Sequence, residues 1–143
     1  IWVGGGVSHG PLNEKIYDRK VNKNMKTKAL FTVLSAKAKD GEILFLNDLG
    51  LKSIKTKSAV DVLSSLSKIS GFEKLAYKTG RRALILTPGV DNNAVKSFRN
   101  IGSSFVDEVR NLNPIDALKY KYLIMVSPEE SVKILSKRAK TAK

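Results

Sequence analysis

The chain has no cysteine, one histidine and one tryptophan. Without thiols there is no disulfide framework and no thiolate metal site. With a single imidazole, only carboxylates remain as metal ligands. Asp107-Glu108 and Glu129-Glu130 are sequence neighbours that cannot share one strand face or close a cage, so no metal or other cofactor is expected. Long apolar runs are also missing. The longest, such as Ala83–Leu86 and Tyr122–Val126, have strand length and fall far short of the roughly 20 residues of a membrane-spanning helix. The first residues are apolar and glycine-rich but carry no charged leader, so no signal peptide is read there. The sequence opens on Ile1 rather than Met, which raises the expectation of missing upstream sequence.

Acids are scarce. Thirteen Asp+Glu face 26 Lys+Arg over 143 residues, a formal net charge of +13. An excess of this size means self-repulsion unless a polyanion neutralises it. Nucleic acid, an acidic membrane surface or an acidic protein would serve, and nucleic acid stands first. The hydrophobic fraction of 42% is that of a globular protein with one real core.

Residues 1–20 read as an arm, punctuated by Gly4, Gly5, Gly6, Gly10, Pro11 and Asn13 too densely for helix or central strand. Residues 21–143 read as one α/β domain with a basic tail from Lys133. A helix is expected from about Asn22 to Asp40, stopped by Gly41. Met25, Ala29, Val33 and Ala36 form one stripe, with Leu30, Phe31 and Leu34 beside it, so its second half should be buried on more than one side. Strands are expected at Ile43–Leu46, Ala83–Thr87, Phe105–Val109 and Tyr122–Val126. Helices are expected at Thr56–Ile69 (Val60, Leu63, Leu66 and Ile69 inward), at Asn92–Asn100 (Val95 and Phe98 inward), from Pro114 to about Tyr120, and after Ser127 as N-cap. Such alternation implies an open, mostly parallel sheet flanked by helices.

Three catalytic motifs are nearly present and fail. Gly6-Val7-Ser8-His9-Gly10 matches the G-x-S-x-G nucleophile elbow, but Pro11 and Asn13 follow where a helix must start. The only histidine lies beside the serine, so no distant general base exists. Gly5 and Gly10 have the spacing of a phosphate-binding loop, yet Pro11-Leu12 replaces the required Lys-Ser/Thr. The dinucleotide fingerprint breaks at His9, where its third glycine belongs. A nucleotide-binding enzyme on a similar sheet would need a phosphate loop after a strand, and Thr87-Pro88-Gly89-Val90 offers one glycine. No catalytic residues are assigned.

RNA binding asks for cations, bare backbone and planar side chains. Trp2 and His9 offer planes; Gly4, Gly5 and Gly6 offer backbone; Lys15, Arg19, Lys20, Lys23, Lys26 and Lys28 offer charge. The competing reading of Trp2 is packing on the domain, and that of the lysines a merely solvated face.

Ile1-Trp2-Val3-Gly4-Gly5-Gly6-Val7, Gly10-Pro11, Lys20-Val21-Asn22-Lys23-Asn24-Met25, Ala29-Leu30 and Leu34-Ser35 together resemble the bacterial large-subunit ribosomal protein four family. The likeness continues through Lys55-Thr56-Lys57, Ala83–Thr87, Asp91-Asn92-Asn93, Arg99-Asn100 and Leu123–Val126. It implies an α/β domain carrying part of a long, extended, Gly-rich basic loop at its amino terminus, with residues 1–20 as the returning limb of that loop. It also implies a structural, non-enzymatic, cytoplasmic constituent of the large ribosomal subunit. Such a protein binds ribosomal RNA and neighbouring ribosomal proteins, supports assembly, and needs no membrane or small-molecule substrate. The RNA contacts expected are Trp2, Gly4, Gly5, Gly6, His9, Lys15, Arg19, Lys20, Lys23, Lys26, Lys28, Lys55, Lys57, Arg99 and Asn100. A regulatory role on a leader transcript is the alternative. The resemblance begins on the returning limb, which implies that the first strand, first helix and loop tip of the family are absent from this sequence. The stretch Gly71–Arg82 is longer than the family's connection there; its Lys74, Lys78, Arg81 and Arg82 make either an RNA contact or a loose surface loop.

Overall fold

The computed structural model describes residues 3–7 and 9–140. Five α-helices and four strands follow one another as α1 (Lys23–Lys39), β1 (Ile43–Leu46), α2 (Thr56–Leu66), β2 (Ala83–Thr87), α3 (Asn92–Phe98), β3 (Ser104–Glu108), α4 (Pro114–Lys119), β4 (Tyr122–Val126) and α5 (Pro128–Lys140). Short 3-10 turns at Glu73–Ala76 and Val109–Asn111 complete the order. The sheet is open and parallel throughout, in the order β1-β4-β2-β3. The α/β reading and all four strand positions hold, with β3 shifted by one residue.

The two central strands, β2 and β4, are buried along their whole length. Their alternate side chains feed two cores, as the period of two requires. Ala83, Ile85, Tyr122, Ile124 and Val126 pack with α2 and α3 on one face. Leu84, Leu86, Leu123 and Met125 pack with α1, α4 and α5 on the other. Chain connections explain the layers. The path from β1 to β2 passes over β4 by way of α2, and the return from β3 to β4 uses α4 on the opposite face.

Several helix faces differ from expectation. On α2 the inward residues are Ala59, Leu63 and Leu66, while Val60 is exposed. The helix ends at Leu66, three residues early, and Ile69 is exposed beyond it. On α3 the buried residues are Ala94, Ser97 and Phe98, and Val95 is turned outward. In each case a small residue lets the helix come close to the layer beneath, and this sets the rotation. On α1 the buried stripe is Leu30, Leu34 and Lys37, with Phe31 and Val33 at its margin; Met25, Ala29 and Ala36 face outward. The helix is thus buried on one side only.

Two basic segments are anchored to the body. Gly71–Arg82 is not a loose loop at its start. Phe72 and Leu75 are buried, the Phe72 and Tyr122 rings lie 5.0 Å apart, and the Tyr122 hydroxyl donates to the Gly71 carbonyl at 2.9 Å. The basic tail is helical to Lys140. Leu135 is buried, and an Arg138 guanidinium nitrogen donates to the Leu112 carbonyl at 2.8 Å. The Ser127 hydroxyl, expected to cap α5, donates instead to Asn47 O at 3.3 Å.

Candidate nucleic-acid interface

No helix or strand forms among the described residues before Lys23, and each of them is exposed. Gly4 and Gly5 take φ of 96° and 83°, a region open to glycine at no steric cost. Val3, Val7, Leu12, Ile16, Tyr17 and Val21 are exposed as well, Val3 completely at 106%. Six apolar side chains standing in water along one short arm are uncommon for a free-standing surface. The nucleophile-elbow reading fails on the same geometry, since no strand precedes His9 and no helix follows it among the described residues. Trp2 lies outside the described residues. Gly6 and His9 are exposed arm residues, and the Lys15 ammonium sits 5.3 Å from the centre of the Tyr17 ring.

The arm delivers Arg19 and Lys20 to the amino end of α1, where Lys23, Lys26 and Lys28 are exposed. The first turn of α1 has no acid, and Asn22 makes no side-chain cap. α2 repeats this pattern: its N-cap is Lys55, with no side-chain cap bond and no acid in the first turn, and Lys57 is exposed. Cations at the positive end of a helix dipole are unfavourable within the protein and suit an external anion. The remaining helices behave conventionally. The Asp91 carboxylate accepts from the N–H groups of Asn93 and Ala94, Asn113 caps α4, and Glu129 and Glu130 open α5. Among the described residues the ion pairs are Lys37–Glu42, Arg110–Glu108 and Lys119–Asp116. None of them consumes an expected RNA contact.

These residues form two groups rather than one. The arm leads into α1 on the face covered by α1, α4 and α5, whereas Lys55, Lys57, Arg99 and Asn100 belong to α2 and α3 on the other. Within the second group the elements do meet. The Lys55 N–H donates to Ser97 Oγ at 3.1 Å, and Thr56 and Asn100 line one groove.

Tyr77 is not among the contacts expected from the sequence. It is 52% exposed and lines the same groove with Lys78, and the Arg82 guanidinium lies 5.2 Å from its ring centre. An aromatic residue inside a run rich in Lys and Arg was the available signal. Glu73, the one acid in that stretch, accepts from the Gly71 N–H at 3.0 Å. That bond holds its carboxyl below the ordinary carboxylate range. Among the described residues no helix is long and apolar enough to cross a membrane.

The sequence profile of the Ribosomal protein L4/L1 family matches residues 1–138. The chain belongs to that family. It is 34% identical over 132 residues to the large ribosomal subunit protein uL4 of Natranaerobius thermophilus, covering 92% of this chain and 58% of that protein. The protein of the same name from Finegoldia magna is 34% identical over 134 residues, with 94% and 58% covered. That from Lachnospira eligens is 36% identical over 124 residues, with 87% and 54% covered. The chain therefore spans somewhat more than half the length of these relatives.

Proposed function

We propose that the chain is a structural constituent of the large ribosomal subunit that binds ribosomal RNA and supports subunit assembly, without turnover or cofactor. The observation that carries this reading is the arm. It is exposed at every described residue, rich in glycine and in stranded apolar groups, and it runs directly into an uncapped, lysine-bearing helix end. Ordering each arm residue costs about 1–2 kcal/mol of conformational entropy, and the arm's contacts with the body do not offset it. Phosphates and bases would. Residues 1–20 then act as one limb of an extended loop threaded into RNA, while residues 21–143 dock as a body. The partners are large-subunit ribosomal RNA and neighbouring ribosomal proteins, in the cytoplasm. Membership of the L4/L1 family and likeness to large ribosomal subunit proteins uL4 support the same assignment.

The test is electrostatic. Each phosphate contact contributes about 0.7–0.9 to the slope of log affinity against log salt. Replacing Lys20, Lys23 and Lys26 with Ala is expected to lower the slope for large-subunit RNA by about 2–3. An unchanged slope would mean that these ammoniums do not meet phosphate.

A further inference from the structure

On the face of the body away from α1, a groove of about 440 Å³ runs between α2, the 71–82 segment and the turn before β3. Its lining is largely apolar, with Val60, Leu63 and Ile101, and also includes Tyr77, Lys78 and Asn100. We infer that this groove is a second RNA site, which receives an unstacked nucleobase of a single-stranded segment against the Tyr77 ring. The inference rests on the RNA-binding reading above and assigns a particular ligand chemistry to a separate surface.

Three observations favour a nucleotide over another occupant. The first is the plane. Tyr77 is half exposed, and its neighbour Arg82 is held in place. Arg82 Nε donates to the Thr79 carbonyl at 2.9 Å. Gly80, at φ 81°, turns the chain so tightly that a Cβ there would meet the guanidinium at 3.3 Å. A half-exposed ring with a held guanidinium over it is a stacking platform. The second is charge. Residues 71–82 hold Lys74, Lys78, Arg81 and Arg82 against Glu73 alone, and that carboxylate is turned back onto Gly71. Lys78 lines the groove itself, and the exposed Lys55, Lys57 and Arg99 are the sequence neighbours of its lining residues Thr56 and Asn100. A surrounding so poor in acids suits the phosphates that flank an inserted base and repels a cationic partner. The third is polarity within the groove. Thr56, Ser64 and Asn100 supply hydroxyl and amide groups that can meet a base edge. The anchor beneath is firm, because Phe72 and Leu75 are buried and Tyr122 holds Gly71.

The experiment compares the affinity of the whole chain for a twelve-nucleotide oligouridylate and for an abasic strand of the same length, at one salt concentration. The wild-type chain is expected to prefer the strand with bases by about tenfold, within the range of one stacked base. Tyr77→Ala should reduce that preference severalfold while leaving abasic binding unchanged, and Tyr77→Phe should retain it. Gly102→Leu should also reduce it, because Gly102 lines the groove, a Cβ there meets nothing within 4 Å, and a longer side chain would intrude on the space. Circular dichroism confirms that the variants fold. Lys20, Lys23 and Lys26 changed together to Ala should weaken both strands alike. A wild-type chain that binds both strands equally overturns the inference, as would be the case if the groove instead received an acidic protein segment. A preference left undiminished by both Tyr77→Ala and Gly102→Leu overturns it too, because base contacts by the arm alone would then account for all of it. In either case RNA binding by the arm stands. Loss of binding to both strands in the wild type would overturn both proposals.

Discussion

Lys37 is 7% exposed at the carboxyl end of α1, an unusual place for an ammonium. The local backbone explains it. Gly41 at φ 68° turns the chain, so that Gly41 N–H meets Ala38 O at 3.3 Å and Glu42 N–H meets Lys37 O at 2.9 Å. This is the paired bonding of a Schellman motif. The same closure brings the Glu42 carboxylate to 2.8 Å from Lys37 Nζ, which also donates to the Lys121 carbonyl at 2.8 Å. One side chain thus ties the end of α1 to the start of β4. Removing one member of a buried pair strands the other, and Glu42 is partly exposed, which moderates the loss. Lys37→Met is expected to cost about 2 kcal/mol in urea unfolding. Glu42→Gln should cost less, because the ammonium keeps the Lys121 carbonyl and an amide oxygen as acceptors. The reverse order would show that the pair does not organise this corner.

At the scale of elements, the helices divide by how their amino ends are treated. α3 carries its own acceptor, with Asp91 Oδ1 receiving Asn93 N–H at 2.9 Å and Ala94 N–H at 3.1 Å. Asp91→Ala should therefore cost about 1 kcal/mol. Asn22→Ala should cost a few tenths at most, because Asn22 makes no side-chain bond to α1. Chemical denaturation of the two variants side by side reads the difference, and equal losses would mean that α1 is capped after all. Strand positions were legible in the sequence because β2 and β4, buried on both faces, must be continuous apolar runs. Helix existence was legible from Gly41, Pro114 and the apolar spacing. Helix rotation was not, because the reading weighted Val60 and Val95 over Ala59, Ala94 and Ser97, and close approach favours the small residues. The candidate RNA contacts are read from charges and glycines, which need no tertiary knowledge. The groove was not, since it joins Thr56, Tyr77 and Asn100 only after α2 has crossed over β4 to reach β2.

For the whole molecule, the decisive imbalance is between a body that satisfies itself and an arm that does not. The body has two cores, and among its described residues no buried side-chain polar atom lacks a hydrogen-bond partner. The arm has Val3, Val7, Leu12, Ile16, Tyr17 and Val21 in water beside Lys15, Arg19 and Lys20, and a net charge of +13 presses the two parts to find a polyanion. A segment with so few internal contacts opens at almost no free-energy cost, and proteolysis follows that opening. Trypsin should therefore cut the isolated chain first after Lys15, Arg19, Lys20 and Lys23, leaving a body that resists until it unfolds globally. Bound to the large subunit, the same four bonds should be protected while the affinity of the intact chain becomes strongly salt-dependent. Equal cleavage rates in the two states would mean that the arm stays in solvent on the ribosome, and RNA binding would then have to rest on the body alone.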